Sequence, residues 1–89
     1  MTKIVKAEHK GGYCVELTFS DGTWAKFDAG PLVQSDGPLA AVVREEAEFA
    51  RFYIELGALC WRHGLELSAE SLRRKLDEAG QLRGDSLAA

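Results

Sequence analysis

Two cysteines and two histidines are the side chains best suited to chemistry in this sequence, and their spacing limits what they could do. Cys60-x-x-His63 has the make-up of half a zinc site, and His9 and Cys14 flank a Lys10-Gly11-Gly12 turn that could supply the other half. In one regular strand, residues three apart point to opposite faces, so Cys60 and His63 diverge. The same divergence weighs against a Cys–His nucleophile. No Gly-x-Ser-x-Gly elbow, Walker loop or dinucleotide fingerprint is present. The carboxylates of "REEAEF" (44–49) read as a solvated helix face. We therefore expect a non-enzyme with no metal ligands and no cofactor.

Nucleic-acid binding would rest on Arg73-Arg74-Lys75. Three consecutive helical residues spread over about 200° of the cylinder, so they make no single edge for reading a groove. Asp77 and Glu78 follow, and at three or four positions on they can pair with these cations on a solvent face. The whole chain carries 11 Lys+Arg against 14 Asp+Glu, a formal charge of −3, which opposes nonspecific attraction to phosphates. Direct contact with nucleic acid is not expected.

The elements that must position any site follow from patterning. Eighty-nine residues make one domain, and the 46% hydrophobic content is that of an ordinary globular protein. The longest apolar run, "LAAVV" at 39–43, is far too short to span a membrane, and "MTKIVKAEHKGG" has no signal-peptide character. We expect a cytoplasmic location with both cysteines as free thiols. Residues 2–9 suit a strand. From 13 to 19, Tyr13, Val15, Leu17 and Phe19 alternate with Cys14, Glu16 and Thr18.

The next turn sets the register. If Ser20-Asp21-Gly22 is a type I turn with Gly22 left-handed in a G1 bulge, Val15 faces Phe27, Leu17 faces Ala25 and Glu16 faces Lys26. A two-residue Asp21-Gly22 loop would slip the pairing by one and set apolar against charged residues. The bulged hairpin is the expected form. It puts Trp24 on the Glu16/Lys26 face, either covered by an irregular segment or open to a partner.

Pro31 and Pro38 each suit a first helical position. Leu39, Val42, Val43, Ala47 and Ala50 predict one buried helical stripe, with a break near Glu45. "FYIEL" and "LCWR" read as paired strands, "LEL" as extended, and Ser68 as the cap of a last helix with a Leu72/Leu76/Ala79 seam, ended by Gly80. The fold class is α+β: a small antiparallel sheet, formed by an N-terminal β-meander plus a second hairpin, with a central helical segment and a C-terminal helix. One domain is expected over 1–80, with a flexible tail over 81–89.

The segments "LTFSDGTWAKFDAGPLV", "GPLAAVVREEAEFARFYIELGALCW" and "GLELSAESL" together resemble a bacterial family, domain of unknown function 2442. The resemblance rests on the aromatic-Ser-Asp-Gly hairpin, Phe27-Asp28, a helix opening with Pro-Leu, Phe49-Ala50, Trp61, Gly64-Leu65-Glu66-Leu67 and Leu72, spread over residues 3–76. Arg62-His63-Gly64 stands where the family commonly has Pro-Asn-Gly, and Glu66 where Asp is usual. The resemblance implies a small α+β domain and carries over no catalytic residues. Members are sometimes joined to a helix-turn-helix domain, for which the roughly twenty residues after Ser68 leave no room. Others are encoded beside a second small domain, which implies a toxin–antitoxin-like pair.

Two functions are carried forward. One is a non-catalytic protein–protein interaction module, antitoxin-like or an accessory subunit, acting on a protein partner or a second copy through a sheet edge and the last helix. The other is a small-ligand-sensing domain with a pocket between the sheet and the helix at 38–50, Asp28 or Glu66 reaching its rim. The candidate binding residues are Trp24, Asp28, Trp61, Glu66 and Leu82. Asp28 and Glu66 have an alternative as turn residues whose carboxylates accept backbone N–H groups.

Overall fold

The turn at Ser20-Asp21-Gly22 fixes the first sheet as its chemistry predicts. In the computed structural model, which describes residues 2–35 and 37–84, Gly22 has φ +90° and its N–H donates to the Phe19 carbonyl at 3.0 Å. Phe19 N–H donates to Thr23 O at 2.8 Å, completing the bulge. Strand β2 (Cys14–Phe19) therefore pairs with β3 (Trp24–Asp28) in the apolar register, with Val15 opposite Phe27, Leu17 opposite Ala25 and Glu16 opposite Lys26. Val15, Leu17, Phe19 and Ala25 are fully buried. Strand β1 (Ile4–His9) pairs on the other side of β2, and a bulge between Ile4 and Lys6 leaves Val5 outside the ladder, 59% exposed.

Asp21 does more than turn the chain. One carboxylate oxygen accepts from Thr23 N–H and Oγ1, and the other receives the Arg73 guanidinium at 2.9 Å. Arg73 thus ties the last helix to the β2–β3 turn, rather than pairing with Asp77 or Glu78 as expected. Partial burial acts against the Asp21 carboxylate, yet the bonds with Thr23 and the Arg73 charge outweigh it and hold the group below its ordinary 3.8. A depressed folded-state pKa gives stability that is complete above the unfolded value and lost as pH falls through the folded one. Urea midpoints of wild type and Asp21→Asn should therefore differ at pH 6 and converge as acid protonates Asp21. A difference that stays constant down to pH 2 would contradict this.

The predicted central stripe does not form. The segment folds as three short helices: α1 (Gly30–Val33), α2 (Pro38–Val42) and α3 (Glu46–Phe49). Pro31 and Pro38 do stand in the first turns of α1 and α2. The break falls at Glu45, whose backbone is extended (φ −77°, ψ 123°), and it re-phases the faces on either side. Ala40, Val43 and Phe49 are buried, while Leu39, Val42 and Ala47 are exposed. Arg44 holds the break in place: its guanidinium donates to Val33 O and Ser35 O, and its carbonyl accepts from Tyr13 OH. Glu46, expected in solvent, accepts the Gly12 N–H at 2.9 Å.

The second sheet is a three-stranded antiparallel meander, β4 (Tyr53–Glu55), β5 (Ala58–Cys60) and β6 (Glu66–Leu67). It adds a strand to the hairpin read from sequence. Ile4 N–H donates to Gly57 O at 2.9 Å and joins the β4–β5 turn to β1. That turn is Leu56-Gly57, both residues with positive φ (+51° and +79°) as a type I′ loop demands. Leu56 is a poor residue there and is 95% exposed. Leu56→Asn should raise stability by about 0.5–1 kcal/mol, read as a higher urea midpoint. An unchanged or lower midpoint would mean that Leu56 makes folded-state contacts the structure does not show.

Helix α4 (Ala69–Glu78) opens on Ser68, whose Oγ accepts the Ser71 N–H at 3.2 Å. It buries Ala69, Leu72 and Leu76; Ala79, the expected third member of the seam, is the C-cap and is exposed. Gly80 (φ +71°) closes it, with Gln81 N–H donating back to Leu76 O at 2.9 Å in a Schellman arrangement. The chain then returns to β3, where Arg83 and Trp24 exchange both backbone hydrogen bonds. The segment expected to be a flexible tail from 81 onward is thus bonded to β3 at Arg83. Residues 85–89, Leu87 among them, lie outside the described residues.

Candidate functional site

A groove of about 720 Å³ runs along the groove-facing side of α4, across from the end of β3 and α1. Alternation aims Phe27 at its floor, and Leu67 and Leu72 join it there from β6 and α4. Pro31 and Leu32 form one wall because Pro31 starts α1 directly after the β3 turn. The opposite wall is Ser68, Ser71 and Lys75, which repeat at helical spacing on one side of α4. The polar rim carries Asp28, Glu66 and Lys75.

The structure thus brings Asp28 and Glu66 together on one groove, a result neither residue's local sequence announces. The groove does not lie between the sheet and the helix at 38–50, as the ligand reading expected, but against α1 and α4. Asp28 has the turn role foreseen for it: Oδ1 accepts the Gly30 N–H at 2.8 Å, closing the step from β3 into α1. The turn role does not extend to Glu66. It is exposed on β6 opposite Cys60, and no hydrogen bond or ion pair holds its carboxylate among the described residues.

The other candidates are spread apart. Trp61 is 3% exposed, and its Nε1–H donates to Phe49 O at 2.8 Å. Its ring packs beside Phe49 and Phe52, which places it in the core, with part of it lining a smaller cavity beside Val42 and His63. Leu82 packs against the main core rather than waiting for a partner. Trp24 is 38% exposed, flanked by the returning chain; a Cβ on Gly84 would lie 3.4 Å from the indole. An irregular segment, Leu82 to Gly84, thus covers part of Trp24.

Cys60 and His63 do not meet as a pair. Cys60 Sγ points at Ala58 O (3.6 Å), while His63 Nε2 lies 2.9 Å from Leu39 O. Burial, with the Glu66 carboxylate adding to it, pushes the Cys60 thiol above its ordinary value and away from the reactive thiolate. His9 Nε2 is bonded to Gly12 O at 2.9 Å. Among the described residues, no three of the His, Cys, Asp and Glu side chains cluster as metal ligands would. No helix among them is long and apolar enough to cross a membrane.

Phe27, Pro31, Leu32, Leu67, Leu72 and Lys75 were not read as site residues from sequence. The available signal was Pro31 at a helix start, which places a short helix beside the end of β3. A small antiparallel α+β domain with an open groove at the C-terminal helix is the class these observations define. The chain belongs to the family described as a protein of unknown function (DUF2442), whose family model matches residues 4–78. No curated protein and no solved structure matches it.

Proposed function

We propose that this domain is a non-catalytic protein–protein interaction module, an antitoxin-like or accessory subunit, that receives its partner in the α1–α4 groove. The observation that carries the reading is the groove's composition. Half-buried Phe27, Leu32 and Leu67 line a groove under a charged rim, while Phe49 and Trp61 are buried in the core. Apolar surface rimmed by polar groups is the usual anatomy of a docking site. Partner capture tests it. Tagged wild type, passed over lysate of its own host, should retain a stoichiometric second protein that Leu32→Ser, melting within a few degrees of wild type, does not. Equal retention by both would move the contact elsewhere, and retention of nothing would overturn the reading.

A second reading, small-ligand sensing, is favoured by the volume alone, since about 720 Å³ falls within the range of small-molecule pockets. A thermal-shift screen against a metabolite panel separates the two. A stabilising hit lost in Leu32→Ser would favour the sensor.

A further inference from the structure

The groove's charges differ in how far the fold itself accounts for them. Lys75 lies in the last turn of α4, where a cation complements the helix dipole whatever else binds. Asp28 spends one oxygen on the Gly30 N–H and leaves Oδ2 without a hydrogen bond among the described residues. Glu66 has no partner for either oxygen among them. It stands in a two-residue strand at the rim, with half-buried Leu67 beside it on the floor. The rim therefore carries two carboxylates against one ammonium, with carboxylate oxygens available above apolar surface.

The described residues at the end of the chain do not occupy this space. Arg83 pairs antiparallel with Trp24, so the chain from Leu82 to Gly84 runs toward Gly22. Over these residues the chain lies at the Trp24 end of β3, and Phe27 and Asp28 stand at the other end.

We infer that the groove takes a segment of a partner polypeptide in which a basic side chain is flanked by apolar ones, the cation set between Asp28 and Glu66 and the apolar neighbours on half-buried Phe27, Leu32 and Leu67. The inference rests on the interaction-module reading and deepens it. A guanidinium suits the position, because it offers planar pairs of donors to carboxylates and is weakly hydrated over apolar surface.

The substitutions that test it keep the fold. Asn at 28 retains an Oδ1 acceptor for Gly30 N–H and loses only the charge, and Gln at 66 is isosteric. The probes are acetyl-Leu-Arg-Leu-amide and acetyl-Leu-Glu-Leu-amide, titrated into the 15N-labelled domain. The arginine peptide should move amide resonances of residues 27–32 and 66–75 with millimolar affinity, and the glutamate peptide should bind more weakly. Each of Asp28→Asn and Glu66→Gln should weaken the arginine peptide by about two- to fivefold, as expected of exposed charge pairs, with unchanged melting temperature. Lys75→Glu should strengthen it. Equal binding of both peptides, preference for the glutamate peptide, or no shift with either overturns the inference. Those outcomes leave the interaction module standing if Leu32→Ser still loses a captured partner, which keeps the two failures apart.

Discussion

Phe49→Ala should cost about 3–5 kcal/mol, out of the roughly 4–13 kcal/mol expected for a domain of this length. Phe49 is fully buried and lies at the meeting point of both sheets' aromatic side chains. Its ring centroid is 5.4 Å from Tyr13, 5.6 Å from Trp61, 6.0 Å from His9 and 6.3 Å from Phe52. Its carbonyl also accepts the Trp61 indole N–H, and that bond survives the substitution only if α3 stays docked. Truncation leaves a cavity bordered by rings that cannot easily collapse into it, which places the cost at the upper end. Urea unfolding followed by Trp fluorescence reads it directly. A loss under about 1 kcal/mol would mean that α3 is not a fixed part of the core.

Gly57→Ala is the second large effect, expected at about 2–4 kcal/mol. Gly57 has φ +79°, and an added Cβ would fall 2.7 Å from both Cβ and Cγ of Lys3 and 3.2 Å from its Cα. Those atoms belong to the root of the side chain, so the backbone leading into β1 must move. The hydrogen bond from Ile4 N–H to Gly57 O would be strained with it, loosening a tie between the two sheets. Gly12→Ala is the matched control: φ is +55°, but no atom lies within 4 Å of the new Cβ. It should cost only the conformational penalty, about 1 kcal/mol. Equal losses in the two variants would show that the approach of Gly57 to Lys3 carries no weight.

The parts of this fold legible in sequence are those set by local chemistry. Ser20-Asp21-Gly22 fixed a register because a one-residue slip would have put Glu16 against Phe27. Ser68 and Gly80 bracket the last helix for equally local reasons. The central segment misled because a helical stripe is informative only when the helix runs on. Here Arg44 and Tyr13, drawn together from distant positions, stop it after one turn. Trp61 looked like a surface candidate because nothing near it in sequence shows that Phe49 O will take its indole N–H. Asp28 and Glu66 were legible as candidates but not as two residues lining one groove. That shared lining depends on where the end of β3 and β6 stand relative to α4, and no periodicity in either segment encodes it.

The most direct test of the central claim is chemical-shift mapping of the 15N-labelled domain titrated with the partner recovered by capture. The account predicts that the largest shifts fall in residues 27–32 and 66–75, around the α1–α4 groove. Shifts centred instead on Val5 and Tyr53–Leu56, where Val5, Tyr53, Ile54 and Leu56 are exposed, would contradict it and move the docking surface to the second sheet.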